Sequence, residues 1–282
     1  MRSKENLIVL ISFFIIANFL GLFAASNLIA AGEVSQTPVL NEGAGSAFTF
    51  FTVVLIAAGL MLLLYKLKAD LIIKAWFLVA IFSTIMIFFS TFIPDLFAII
   101  IALSLVGASR YYKKWQLMNA VLMFGFAGAG AFFGVMVGFI PALIILALLA
   151  VYDVIAVFFS KHMISLAKSG LSSGTFMGFI YPKGDQKNVQ LDHEKVKEMP
   201  DDKVKSKVGV LGGGDVIIPM MFAISLIESF GFMFSALSVL FSALFLYFLL
   251  VKAQEGKFYP ALPFVNTGAL LGFVVAYLFS LI

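Results

Sequence analysis

Long apolar runs separated by short polar stretches dominate the chain. A helix needs about 20 mostly apolar residues to cross the hydrocarbon layer of a membrane. The pattern therefore predicts about nine transmembrane helices, of which the fourth is short. The predicted spans are Leu7–Ile29, Ala47–Tyr65, Leu71–Phe92, Leu96–Ser109, Leu117–Val137, Phe139–Ser160, Leu211–Phe230, Phe232–Val251 and Pro260–Ile282.

The first run has two interpretations. Arg2 and Lys4 precede an apolar stretch that ends in Ala-Ala-Ser, which is also typical of a cleaved signal peptide. The apolar run is longer than the usual core of a signal peptide, and this favours a retained helix.

Composition supports a membrane protein. Hydrophobic residues make up 62% of the chain and charged residues only 12%, whereas soluble domains carry about a quarter charged residues. The chain has no cysteine, which excludes disulfides and thiol catalysis. We therefore expect an all-α, multi-pass integral membrane protein in which residues 1–282 form one transmembrane domain.

The charges predict the orientation of the spans. With nine spans and the N-terminus inside, all 19 Lys and Arg residues lie on the cytoplasmic side, as the positive-inside rule requires. The charged residues of the opposite loops are all acidic, namely Glu33, Glu42, Asp95 and Glu228. The predicted topology is N-in and C-out. The net charge of +4 is thus a signal of membrane orientation, and we expect contact with the lipid bilayer and none with nucleic acid.

One long polar stretch, residues 161–209, interrupts the spans. Its second half mixes both signs of charge with few apolar residues, which predicts a cytoplasmic loop. Met163–Tyr181 is partly apolar, and we expect a short helix along the membrane interface there. A plain tether and a regulatory loop both fit this composition. In the fifth span, Gly130, Gly134 and Gly138 recur every four residues, which indicates close helix packing.

Two acidic side chains lie well inside predicted spans, Asp153 in the sixth and Asp215 in the seventh. A charged group inside the membrane is costly, so each is a candidate functional residue. Asp153 precedes Lys161 by eight residues, and Asp215 follows Lys207 by eight. At a rise of ~1.5 Å per residue, both lie about 12 Å from the cytoplasmic edge. The two carboxylates can therefore meet at one depth.

Two carboxylates that share a proton can hydrolyse a peptide bond. One takes a proton from water while the other donates a proton to the carbonyl oxygen. The two histidines, His162 and His193, lie in the polar stretch, and the chain has no zinc-protease or serine-hydrolase motif. We expect neither a metal nor a cofactor. A structural aspartate and an ion relay remain the alternatives for these residues.

Glycines and prolines surround the candidate site. Gly212, Gly213 and Gly214 precede Asp215 directly and leave room for a close approach of backbone, although a simple start of a helix also explains them. Pro260-Ala261-Leu262-Pro263 opens the ninth span. Two prolines three residues apart predict an extended segment that reaches toward the aspartates, or else the first turn of a helix.

These motifs together resemble one family. Tyr152-Asp153, Gly212-x-Gly214-Asp215 and Pro260-Ala261-Leu262, on the sixth, seventh and ninth spans, look like those of the presenilin and signal peptide peptidase family of aspartyl intramembrane proteases. Asp215-Val-Ile-Ile-Pro219 looks more like the signal peptide peptidase branch, whereas the N-in orientation, Val151-Tyr152-Asp153 and Pro260–Pro263 look like presenilin. Gly213 stands where the family usually has a larger apolar residue.

The resemblance implies an aspartic endopeptidase of the GxGD type with Asp153 and Asp215 as the catalytic pair. It also implies that Tyr152, the three glycines and Pro260–Leu262 shape the site and bind substrate. Transmembrane or signal-peptide-like segments are the expected substrates. The compact size resembles the archaeal members, so we expect a prokaryotic cell membrane and no obligatory partner subunits. The oligomeric state stays open. The alternative functions are a cation channel or transporter and a prepilin-type peptidase.

Overall fold

The computed structural model describes residues 4–32, 44–67, 69–112, 114–160, 170, 175–182, 208–253 and 259–281. Within these residues, nine helices are long and apolar enough to cross a membrane, which confirms the predicted all-α membrane fold. The helices are α1 Lys4–Ala30, α2 Ala44–Lys66, α3 Asp70–Ser90, α4 Asp95–Tyr112, α5 Trp115–Met136, α6 Phe139–Ile155, α7 Gly213–Phe230, α8 Phe232–Lys252 and α9 Leu262–Ser280. A π-helical turn, Ala156–Ser160, directly follows α6.

Helix α5 lies at the centre, against α1, α3 and α7. Gly130 and Gly134 form the face of α5 that meets α7. The side chain of Met220 fills the space where Gly130 lacks a side chain, and a Cβ atom at Gly134 would lie 2.6 Å from Ile224. The predicted packing role is confirmed for these two glycines. It is wrong for Gly138, which lies between α5 and α6, where a Cβ atom would approach only Pro141, at 3.8 Å.

Helices α8 and α9 form the most extensive helix pair. Gly268 and Gly272 let the backbones approach closely, since a Cβ atom at either position would lie 2.5–2.6 Å from a carbonyl oxygen of α8. The hydroxyls of Ser238 and Ser242 donate to backbone carbonyls of α9 at 2.9 and 2.8 Å. Small residues and interhelical hydrogen bonds are the usual means of joining helices in membranes. These contacts therefore hold α9, including its first turn, in a fixed position against α8.

A two-stranded antiparallel sheet lies before α7. Strand β1 (Gly178–Pro182) pairs with strand β2 (Val208–Gly212). This corrects two expectations, because residues 178–181 form a strand rather than an interfacial helix, and α7 begins at Gly213 instead of Leu211. Aromatic and β-branched residues in both segments favour strands. The other residues of the expected interfacial helix, apart from Gly170 and 175–177, lie outside the described residues, as do residues 183–207 of the predicted loop.

Candidate active site

Asp153 lies two residues before the end of α6 and is only 1% exposed. The backbone N–H of Leu262 donates to its Oδ2 at 3.1 Å, and the backbone N–H of Ala261 also donates to the carboxylate. The first N–H groups of a helix have no partner within the helix. Asp153 thus supplies the acceptor for the start of α9, where the positive end of the helix dipole favours a negative charge.

The proline segment begins the ninth helix. Leu262 is the first residue of α9 and Pro263 lies in its first turn, while Pro260 and Ala261 precede the helix. The expectation of an extended backbone through Pro263 is therefore wrong, because proline is well suited to the first turn of a helix. The expected reach of this segment toward the aspartates is observed, since its backbone bonds to Asp153.

Asp215 lies in the first turn of α7, directly after β2. Its side chain is half-buried and accepts a hydrogen bond from the backbone of Gly212. Helices α6, α7 and α9 all pack against one another, and the backbone N–H of Leu262 at the start of α9 donates to Asp153 on α6. Three segments far apart in sequence therefore meet, and two of them contribute a carboxyl group.

The three glycines before Asp215 have different surroundings. A Cβ atom at Gly212 would lie 3.1 Å from Asp215 Oδ2. At Gly213 it would lie 2.8 Å from ring atoms of Phe126 and 3.0 Å from the carbonyl oxygen of Met177. Gly214 is exposed, and among the described residues a Cβ atom there would approach only Ile218, at 3.8 Å. The described residues thus leave little room for a side chain at the first two positions and leave the third position open.

Tyr152 directly precedes Asp153 on α6 and is half-buried. Its role in shaping the site stays a prediction. The described part of the chain has no group of three or more His, Cys, Asp or Glu side chains that could hold a metal ion.

Two buried asparagines were missed from sequence. Asn266, one turn into α9, donates through Nδ2 to the carbonyl of Leu146 on α6 at 2.9 Å. Asn119, in α5, bonds to both backbone groups of Ile180 in β1. A polar side chain within an apolar span was the available signal, but it does not identify the partner.

Comparisons with known proteins agree with the observed fold. Two solved structures, each of a presenilin family intramembrane aspartate protease, match over nearly the whole length of both chains. The one in the C222 space group has 21% sequence identity and a TM-score of 0.69, with 97% of this chain and 99% of that chain covered. The one in the P2 space group has 20% identity and a TM-score of 0.65, with 99% and 98% covered.

No curated protein matches the chain. The family model described as "Signal-peptide peptidase, presenilin aspartyl protease" matches residues 11–282. That match spans nearly the entire sequence, including α6, α7 and α9. The chain therefore belongs to the signal-peptide peptidase and presenilin family of aspartyl proteases.

Proposed function

We propose that this protein hydrolyses peptide bonds of membrane-spanning segments, with Asp153 and Asp215 as a water-activating pair. The observation that supports this most directly is that α6 and α7 pack against each other and each carries an acidic side chain within the span, Asp153 and Asp215. Ionisable groups within a membrane are rare and mark functional sites. Two of them on helices in contact fit acid–base chemistry better than a structural role.

The reaction needs only the two carboxyl groups and one water molecule. The ionised carboxylate takes a proton from water while the water oxygen attacks the carbonyl carbon of the substrate. The protonated carboxyl group donates its proton to the carbonyl oxygen, and a tetrahedral diol forms. The carboxyl group that took the proton from water then donates it to the amide nitrogen, while the other carboxylate accepts a proton from a hydroxyl of the diol. The C–N bond breaks, and an amine and a carboxylic acid leave. The pair is thereby ready for a further cycle.

A membrane-spanning substrate must unwind before its peptide bond is accessible, and its freed backbone groups then need partners. Strand β2 offers them. The N–H of Gly213 donates to the carbonyl of Met177, and hydrogen-bonded pairs alternate along an antiparallel ladder. The N–H and C=O of Val210 and the C=O of Gly212 therefore point away from β1, while the N–H of Gly212 donates to Asp215. An extended substrate that paired with this edge would lie beside Asp215, in the manner of strand addition.

The presence of glycine at position 214 is further support for an approach of substrate to the start of α7. Alanine is favoured over glycine in helices by about 1 kcal/mol, and the space around Gly214 would accept a methyl group. No contact within the described residues explains the glycine. A substrate backbone that passes close to α7 does explain it.

The proposal is tested with the purified protein alone in detergent and a substrate with a single transmembrane segment. Mass spectrometry of the products should show cleavage within the apolar segment, and Asp153→Asn and Asp215→Asn should show none. Because no other subunit is present, the assay also tests the expectation that partners are dispensable. A cation channel or transporter would instead give ion flux in liposomes that depends on both aspartates, without cleavage, and that result would refute the proposal.

A further inference from the structure

The outer edge of β1 is covered by a side chain instead of a strand. Asn119 Nδ2 donates to the carbonyl oxygen of Ile180 at 2.7 Å, and the Ile180 N–H donates to Asn119 Oδ1 at 3.0 Å. A side-chain amide offers the same donor and acceptor as a peptide group. These are therefore the two bonds that a residue of a third strand would make. Asn119 is 0% exposed and Ile180 is 3% exposed, so water is a poor substitute.

The two bonds agree with the register of the hairpin. Both backbone groups of Ile180 point toward α5, so the pair Ile180–Val210 is one that does not exchange hydrogen bonds. The bond from Gly213 to Met177 leads to the same assignment, because hydrogen-bonded and non-hydrogen-bonded pairs alternate along the ladder and Ile180–Val210 lies three pairs away. The backbone groups at the centre of β1 therefore have their partner on α5, and within the described residues no strand pairs with the other edge of β2.

Asn119 lies within a row of contacts that run along β1. Trp115 packs on Tyr181 with ring centroids 5.3 Å apart, and Phe126 packs on Phe179 at 5.2 Å. Positions 115, 119 and 126 share one face of α5, since they are separated by four and seven residues. Ring contacts tolerate sliding by a fraction of an ångström, whereas two directional hydrogen bonds do not. Asn119 is thus the part of this row that specifies where β1 lies along α5.

The position of the hairpin along α5 affects the chemistry because β2 continues directly into α7 and Asp215. We propose that Asn119 is a positioning residue that anchors β1 to α5 and thereby sets which peptide bond of a substrate on the β2 edge meets the aspartates. This inference rests on the proposed function. Without the amide, the buried N–H and C=O of Ile180 lose their partners, which is costly, and the hairpin shifts to regain them.

The test compares the native protein with Asn119→Leu and Asn119→Gln. Leucine has a similar size and no hydrogen-bonding group, while glutamine keeps the amide on a longer stem. In Asn119→Leu we expect a changed distribution of cleavage sites and a kcat about tenfold lower, with KM changed less than kcat. Asn119→Gln should restore part of the native distribution. A loss of folded protein alone would lower kcat and leave the cleavage sites unchanged.

Asn18→Leu is the matched control. Asn18 is equally buried, but its amide donates only to the carbonyl of Phe14 in its own helix, so its variant should keep the native cleavage sites. Should Asn119→Leu not fold, Asn119→Ser replaces it with the same expected result. Native cleavage sites and kcat in the Asn119 variants would overturn the proposal.

Hydrogen exchange of the Ile180 amide, measured without substrate, separates the two proposals. Exchange should be at least about tenfold faster in Asn119→Leu because the amide has lost its acceptor. Unchanged exchange would refute the anchor, whether or not the protein cleaves. Absence of cleavage by the native protein, with the faster exchange observed in the variant, would instead refute the proposed function.

Discussion

The two aspartates occupy different kinds of surroundings. Asp153 is almost completely buried in a regular helix, and its carboxylate is held by backbone N–H groups at the start of α9. Asp215 is half-buried and lies in the first turn of a helix that follows a strand. Its described backbone partner, Gly212, is only three residues away. One carboxyl group is thus positioned by a distant segment and the other by its own local backbone.

This difference indicates that the two aspartates have different roles in the site. The segment that positions Asp153 is part of the rigid pair of α8 and α9, joined by close glycine contacts and serine hydrogen bonds. Among the described residues, the surroundings of Asp215 instead include a strand edge that no further strand covers and an exposed glycine. A site that must admit an unwound substrate needs one side that stays in place and one side that is accessible. We infer that Asp153 forms the fixed side and Asp215 the side that meets substrate.

The largest expected effect is the loss of either carboxyl group. Asp153→Ala and Asp215→Ala should each lower turnover by about 10²–10⁴-fold, because neither carboxyl group alone can act as acid and base. The measurement is the rate of product formation in detergent. Asp95→Ala is the control, since Asp95 is exposed in the first turn of α4 and should not matter. Activity close to native in either aspartate variant would show that the pair does not act together.

The neighbouring glycines give a sharper comparison. Gly213→Ala should lower thermal stability, because its methyl group would lie 2.8 Å from Phe126 ring atoms and 3.0 Å from a backbone oxygen. Gly214→Ala should keep or slightly raise stability, by up to about 1 kcal/mol, and yet lower kcat/KM, because the methyl group stands where substrate approaches. Melting temperature and kcat/KM are measured on both variants.

The double variant Gly213→Ala, Phe126→Leu is the control for the steric argument at Gly213. A smaller side chain at Phe126 should return part of the lost stability. Should Gly214→Ala cleave at the native rate, the exposed face of Gly214 would not be a substrate surface, and the contrast between the two aspartates would lose its main support.

The fixed side is tested at Asn266. Its bond to Leu146 joins α9 to α6, so Asn266→Leu should shift Leu262 relative to Asp153. We expect kcat to fall by about tenfold, since small misplacements near reacting groups are costly, while KM changes less. Thr267→Val is the matched control, because the hydroxyl of Thr267 bonds only within α9. Equal activity in both variants would show that α9 does not depend on this bond for its position.

The apolar runs predicted nine spans, and the rarity of charge inside them pointed to Asp153 and Asp215, because the membrane strongly constrains both features. The hairpin was missed because its strands have only five residues each and are separated by a polar stretch. Segments this short do not show a clear alternation of polar and apolar residues. The bond from Leu262 to Asp153 uses a backbone N–H, which leaves no side-chain signature. The partners of Asn119 and Asn266 depend on how the helices are rotated and packed.

The smallest expected effect concerns residues 183–207, which join β1 to β2 on the Asp215 side and lie outside the described part of the chain. The register pairs Pro182 with Val208, so the ends of this stretch are about 5 Å apart, and fifteen residues suffice to connect them. Removing about ten of the 25 residues changes the closure free energy by only about 0.5 kcal/mol. We therefore expect kcat/KM to stay within about twofold of native. Replacing the same ten residues by glycine and serine separates the effect of sequence from that of length. If both variants lose cleavage while Asp153 and Asp215 are intact, this stretch takes part in catalysis or gating, and the two sides of the site depend on more than α9 and the hairpin.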